Sequence, residues 1–413
     1  MKHVTKALFG AAAMVALIVG SAGAAEKAEV IHWWTSGGEA AAVQEFAAAF
    51  NAAGGEWVDA AVAGGGGDAA RTAGINRIVG GNPPTAMQFN TGKQFDELVT
   101  QGLLAPLDDV ADAEGWKQHI NPLVLAAVTR DGKIYAAPVN IHSNIWLWYS
   151  PAALEKAGAT APKTWDEFFA AGDKLKAAGI VPVAQSGDAW TQVLTFNNVL
   201  IGAGGKDLYY KIYKDLDVDA VKSPEFKKVA DIFAKLRDYT DAGMQGRQWN
   251  QATAMIVTGQ AGFNFMGDWA KGEVIAAGKT PGTDVGCIPG LGNQEFWIGG
   301  DVFVFPVNKD PEATKAQKLL EKVLLSPEAQ VAFNNKKGSI PVRDDVDLSK
   351  VDACAAQGIA LAKAGNVVES TDILISPDVS GSFTDAIASF FSDKSKTSDD
   401  FVASIASIVE GAK

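Results

Sequence analysis

The sequence is poor in the residue types on which most catalysis and metal chemistry rest. Among 413 residues there are two cysteines and four histidines. Cys287 and Cys354 lack the ligand spacing of a zinc site or a thiol-based catalytic dyad. In an oxidising compartment they either pair or stay as two buried thiols, because sequence separation says nothing of the geometry a disulfide requires. No Gly-x-Ser-x-Gly elbow and no His-Glu-x-x-His is present, which removes two common hydrolase signatures. Neither a metal nor a cofactor is expected. Basic residues are also scarce, 36 against 48 acidic, for a formal net charge of −12. An acidic chain without a basic cluster is a poor partner for nucleic acid or an anionic membrane surface. Long apolar runs are confined to Ala7–Val19, and no later window approaches the ~20 residues of a membrane span.

That one run reads as a targeting segment. Lys2 and Lys6 precede it, and Ala22-Gly23-Ala24 offers the small-x-small cleavage pattern, so residues 1–24 are expected to be a signal peptide. Losing the two lysines leaves 34 basic against 48 acidic residues, a net charge of −14. No cysteine closes the apolar run, so a lipid anchor is not expected. The mature chain should be soluble and exported to the periplasm.

What the sequence does contain is aromatic side chains beside glycine turns. Val30-Ile-His-Trp-Trp-Thr-Ser-Gly-Gly-Glu39 has the pattern of strand, glycine turn and helix, with Thr35 or Ser36 at the N-cap. Such a turn leaves unpaired N–H groups at a sheet edge, where α/β folds bind ligands. Trp33 and Trp34 close the strand, and Glu39 follows one helical turn later. Flat apolar faces beside an acceptor suit a sugar. The competing reading is core packing, and adjacent strand residues face opposite sides, so one of the two tryptophans should be core.

Strands and helices then alternate: helix 39–51, strand 57–62, helix 69–79, strand 85–90 and a helix from 93 to 101. This βαβαβ order predicts a parallel sheet covered on both faces. Gln88, Asn90 and Lys93 fall near the same edge as the tryptophan pair, as ligand groups or as caps of the following helix. The run 132–149 is long and extended with one proline, as for a strand passing between lobes, and His142 lies within it as a core residue or a cleft residue. The strand–glycine–Trp–helix arrangement recurs at Trp190 and at Trp269. Asp301 sits in apolar company, and a buried carboxylate needs a partner or a ligand. Two motifs mislead. Gly272 to Thr280 has five residues between glycines where a phosphate loop needs four. Asp215, Asp217 and Asp219 imitate a calcium loop, but Ala220 and Phe226 stand where glycine and glutamate are required.

Taken together the chain resembles the type-1 extracellular solute-binding proteins of ABC importers. The resemblance rests on Ile-His-Trp-Trp at 31–34, Gly-Asn-Pro-Pro-Thr-Ala at 81–86, Gly-Leu-Leu-Ala-Pro-Leu-Asp at 102–108, Gly-Lys-Ile-Tyr-Ala-Ala-Pro at 132–138, Gly-Asp-Trp at 267–269 and Leu-Leu-Ser-Pro-Glu-Ala-Gln at 324–330. Trp33-Trp34, Glu39 and Lys337-Gly-Ser-Ile-Pro-Val-Arg343 are most similar to the glucose/mannose-binding branch. Gly299 departs from that branch, which usually has asparagine two residues before the aspartate. So does the region near Asp372, where branch members often carry a histidine.

The resemblance implies a two-lobe, maltose-binding-protein-like α/β fold with three crossovers near 139–142, 286–288 and 325–327. Lobe 1 would comprise 25–139 plus 287–325, and lobe 2 would comprise 140–286 plus 326–413. Trp33, Trp34, Glu39, Asn90 and Asp301 would face the cleft from lobe 1. Trp269, Lys337, Trp190 and His142 would face it from lobe 2. The implied function is capture of a glucose-like monosaccharide (glucose, mannose or galactose) by a monomer that serves inner-membrane ABC permease subunits, with no chemistry. A binder of disaccharides or polyols, and a secreted glycosidase using Glu39 and Asp301, are the alternatives.

Overall fold

The computed structural model describes residues 26–349 and 351–412. The expected signal peptide lies outside the described residues. Among them no helix is long and apolar enough to cross a membrane.

Two sheets carry the fold. The first orders its strands Gly55–Ala61, Glu26–His32, Ala86–Asn90, Asp301–Val304 and Ala136–Pro138. Its first three strands are parallel, as the βαβαβ pattern requires. Asp301–Val304 then enters antiparallel to both neighbours, so the sheet is mixed where a wholly parallel one was expected. The cause is connectivity: this strand returns from the other lobe and meets the sheet from the opposite end. The second sheet orders Gly286–Ile288, Trp146–Tyr149, Ala261–Met266 and Val181–Val183. The expected long strand over 132–149 is broken into pieces: 136–138 belongs to the first sheet and 146–149 to the second, with the chain crossing between them.

Each sheet has its own core. Around the first, Val30, Phe46, Phe89, Phe303 and Leu324 are buried together. Around the second, Leu147, Phe168, Phe196, Phe263 and Phe401 are buried together. The opening helix Gly37–Ala52 is alanine-rich and buries Ala42, Val43, Phe46 and Phe50 on one face, the 3.6-residue periodicity of a helix lying on a sheet. Its expected N-cap is only half formed, because Ser36 makes no side-chain cap hydrogen bond. Instead the Gly38 N–H donates to Glu273 Oε1 at 2.8 Å, from helix Ala270–Ala276 on the second core. Gly38 has to be glycine here, since a methyl group would lie 2.4 Å from the Gly272 carbonyl carbon.

The expected boundary at 325–326 does not match the packing. Helix Pro327–Lys337 belongs with the first core, to which it contributes Ala329 and Phe333, and Phe333 stacks on Phe46 at 4.2 Å. The apolar face of this helix overrides the family-based boundary, and Val342 is still in the first core. Lys337, expected from the second lobe, is therefore carried by the first. The C-terminal helices Pro377–Ser392 and Ser398–Gly411 cover the second core through Phe383, Phe390, Phe401 and Ile405.

Cys287 and Cys354 form a disulfide that fastens the edge strand Gly286–Ile288 to helix Ala353–Lys363. By loop entropy, closing a 67-residue separation constrains the unfolded chain by about 4 kcal/mol. The acidic turn at Asp215–Asp219 is a helix cap: Asp217 Oδ1 accepts from the N–H groups of Asp219 and Ala220.

One buried acid carries a cost. Glu321 is 1% exposed, and burial pushes its pKa up to about 7 even though Lys318 lies 3.3 Å away. The native state thus holds a proton that the unfolded chain has released, so stability falls as pH rises from about 4.5 to 7 and the full cost is present above 7. Replacing Glu321 with Gln is expected to raise the melting temperature at pH 8 and leave it nearly unchanged at pH 4.5, as calorimetry would show.

Candidate functional site

The strand ends and glycine turns of the two lobes face each other across a cavity of about 970 Å³. Trp33, Glu39, Asn90, His142, Trp190, Trp269, Asp301 and Lys337 all line it. Trp34, Gln88 and Lys93 do not, and each misses for a physical reason.

The first strand ends at His32, so both tryptophans lie in the turn that follows it, and Trp34 is the member of the pair that turns inward. It is 1% exposed and packs edge-on against Phe303 at 5.7 Å and against Phe333 at 5.0 Å. Gln88 is fully buried behind the cavity wall, where it accepts from the Trp33 backbone N–H and donates to Asp301 Oδ1 at 2.8 Å. Lys93 donates to the Leu374 carbonyl at 2.8 Å, tying down the segment that follows Ser370.

The residues that do line the cavity form three groups. The first is aromatic. Trp269 stands at the N-cap of helix Ala270–Ala276, with its ring edge-on to His142 at 5.2 Å and 6.1 Å from Trp190. Trp190 is in turn 6.5 Å from Trp249, a lining residue absent from the sequence expectations. Trp33 faces the cavity with the Arg71 guanidinium 5.5 Å from its ring. The glycine loop after the second strand passes between the lobes here. A Cβ on Gly67 would fall 2.7 Å from the Trp33 ring, and one on Gly66 3.1 Å from Trp190. Both residues have positive φ, +99° and +58°, so only glycine satisfies shape and backbone together.

The second group is an ion pair. Lys337 Nζ lies 2.7 Å from Glu39 Oε1, with both side chains at or below 10% exposure. Ser36 Oγ donates to the other Glu39 oxygen at 3.2 Å. The ammonium also sits 5.7 Å from the Trp34 ring and 5.6 Å from that of Trp269. Trp34 thus supports the site from beneath, as a wall for the lysine.

The third group surrounds Asp301. Its Oδ1 accepts from Gln88 and its Oδ2 from Asn140 Nδ2, each at 2.8 Å, and His142 Nε2 lies 2.8 Å from the same Oδ2. Burial alone would push this carboxyl up. His142, Lys337 and Asn140 more than offset it and hold the pKa at about 2. A carboxylate offers about four lone-pair positions, and three are already taken. Of the two expectations for Asp301, partner or ligand group, the structure shows the partners, and they leave at most one position for a ligand.

Asp372 was not among the expected residues, yet it lines the cavity. Asn90 Nδ2 and Gln94 Nε2 each donate to its carboxyl, and burial pushes its pKa up despite the Arg71 charge. Its only sequence signal was the missing branch histidine nearby. Trp249, Trp297 and Arg71 also line the cavity and were not among the expected residues; Trp249 follows Gly246 at the same three-residue spacing as Trp190 follows Gly187, a signal that could have found it.

Two sheets, each with its own core, facing each other across one aromatic and polar cavity define a two-lobed solute receptor. The chain belongs to the bacterial extracellular solute-binding protein family, whose model matches residues 34–331. It is 41% identical over 356 residues to a probable sugar-binding periplasmic protein of Mesorhizobium japonicum, covering 84% of each chain. Among solved structures, a chitin oligosaccharide binding protein aligns with TM-score 0.78 at 22% identity, covering 94% of this chain and 99% of the other. Maltose-bound MalE3 of T. maritima aligns with TM-score 0.76 at 20% identity, covering 93% and 99%. The fold is the two-lobe, maltose-binding-protein-like α/β fold, and the family is one of binding proteins, not enzymes. The glycosidase alternative is set aside accordingly.

Removing one member of a buried ion pair leaves the other charge stranded. Lys337→Met alone is expected to cost about 3 kcal/mol or more. The double variant Glu39→Leu/Lys337→Met should recover much of that loss in urea unfolding.

Proposed function

We propose that this protein captures a neutral sugar in the cleft between its lobes and hands it to the permease subunits of an ABC importer, acting in the periplasm. The observation that carries this reading is that Trp33 and Trp269 line the same cavity as Glu39, Lys337 and Asp301. Indole faces cover the apolar C–H surface of a pyranose, while the charged groups exchange hydrogen bonds with its hydroxyls. Lys337 has spent one of its three N–H donors on Glu39, and each Glu39 oxygen has one partner, so both keep capacity for a ligand. The name of the M. japonicum relative supports the same class of ligand.

A neutral ligand fits the charge arrangement. Among the described lining residues Lys337 is paired with Glu39, Arg71 with Asp68 and His142 with Asp301. No cation is left over for a phosphate or a uronate. A glucose-like aldohexose (glucose, mannose or galactose) is the ligand that the residues shared with the glucose/mannose branch favour.

A second reading has its own support. At about 970 Å³ the cavity lies at the top of the range for drug-sized ligands, more room than one hexose requires. Trp190 and Trp249 extend the aromatic wall beyond Trp269, as a disaccharide would use.

Thermal shift and calorimetric titration against hexoses, pentoses, polyols, disaccharides and sugar phosphates test these readings. A sugar at 100 times its Kd adds about 2.7 kcal/mol of stability. The hexose reading expects glucose, mannose or galactose to shift the melt and sugar phosphates to leave it unmoved. A shift with disaccharides alone overturns it. Trp33→Ala and Trp269→Ala should lower affinity with little change in melting. Trp34→Ala should instead cost about 3–5 kcal/mol of stability, as a core truncation does. Trp190→Ala should weaken a disaccharide and spare a hexose.

A further inference from the structure

His142 stands on the first crossing between the sheets and touches a carboxylate from each lobe. Its Nδ1 lies 2.6 Å from Asp268 Oδ1, and its Nε2 lies 2.8 Å from Asp301 Oδ2. Asp268 follows strand Ala261–Met266 of the second sheet, and Asp301 opens strand Asp301–Val304 of the first. All three side chains are buried, at 7% exposure or less. We infer that His142 is a positioning residue held as an imidazolium, a doubly donating strut whose proton fixes the two halves of the cleft against each other.

The argument is one of donor count. A neutral imidazole has one N–H and the cation has two. Asp301 has Gln88 and Asn140 as further donors and Asp268 has the Ser143 N–H, but the two carboxylate oxygens in contact with the ring nitrogens both receive a proton only from the cation. The rival is a neutral ring with its proton on Nδ1 and with Nε2 accepting from Asn140 Nδ2 at 3.1 Å. That arrangement sets the Nε2 lone pair against the Asp301 oxygen at the shorter distance of 2.8 Å, an uncompensated repulsion inside the protein. Asn140 has no need of the ring, since Nδ2 donates to Asp301 and Oδ1 accepts from the Asp301 N–H at 2.6 Å.

The charges around the ring are Asp268 and Asp301 in contact, and beyond Asp301 the Lys337–Glu39 pair. Trp269 meets the ring edge-on. Burial lowers the imidazole pKa, but the two aspartates outweigh it and raise the pKa above its ordinary value. The sign follows. The contribution is complete below the ordinary histidine pKa and is lost as pH rises through the raised one. Above that point one aspartate loses the ring N–H: Asp301 keeps Gln88 and Asn140, Asp268 keeps the Ser143 N–H, and the direct link between the two lobes through the ring is broken on one side.

The consequence for capture rests on the reading of the cleft as a sugar site, whereas the protonation state does not. Long-range ¹H–¹⁵N correlation on ¹⁵N-histidine protein reads the ring directly. His142 is assigned by loss of its signal in His142→Gln, or, should that variant not fold, by elimination of the signals lost in His32→Gln and His119→Gln. The expected result at pH 7.5 is imidazolium shifts at both nitrogens, with the Asp268→Asn ring titrating at lower pH. A neutral ring at pH 7.5, or a titration unmoved in Asp268→Asn, overturns the inference. Sugar affinity should hold from pH 6 up to the measured titration and fall about tenfold or more above it, the weight of one charge-assisted hydrogen bond. In Asp268→Asn that fall should shift to lower pH. A flat affinity profile across a visible titration overturns the positioning role. Absence of sugar binding at every pH counts against the sugar reading, and the ring spectrum still decides the strut.

Discussion

Charge kept from water has to be answered by charge or by hydrogen bonds, and the middle of this protein is arranged around that constraint. Glu39, Lys337, His142, Asp268 and Asp301 are all buried, and each has a partner of opposite sign. Isolated, any one of them would cost several kcal/mol to bury. Together they form a polar seam at the meeting of two apolar cores. Through His142 the seam joins the lobes, and through the Glu39–Lys337 pair it joins two helices of one lobe. Side chains held this way are fixed before any ligand arrives, which lowers the ordering cost of binding in the cleft.

The fold was legible wherever periodicity and glycine turns were strong. The opening strand, its helix and the two strands that follow were readable from apolar runs closed by Gly37-Gly38, Gly54-Gly55 and Gly80-Gly81. The mixed character of the first sheet was not, because the direction in which 301–304 enters depends on where the chain returns after leaving the sheet at 138. The lobe assignment of 327–337 was misread for a related reason. Its sequence shows that Ala329 and Phe333 share a face, but not which core receives that face.

Within the site, residue type was easier to read than role. Trp33, Trp190 and Trp269 were marked by position after a strand, and all line the cavity. Trp34 and Gln88 were named as ligand groups and instead support the wall. Asp301 was read correctly as a buried carboxylate in need of partners, but Gln88, Asn140 and His142 lie 159 to 213 residues away in sequence. No local pattern announces such a triad. Asp372 escaped because its setting is created by Asn90 and Gln94, more than 270 positions upstream.

The glycine loop at 64–67 lies bare against two indole rings, with no room for side chains at Gly66 and Gly67. Along that loop the cleft is lined by peptide backbone, and a side chain at Gly66 or Gly67 meets strain before it can retune what the cleft accepts. Drift in ligand preference falls instead to lining positions that carry exchangeable side chains, such as Thr384 and Asp385, which can change length or charge.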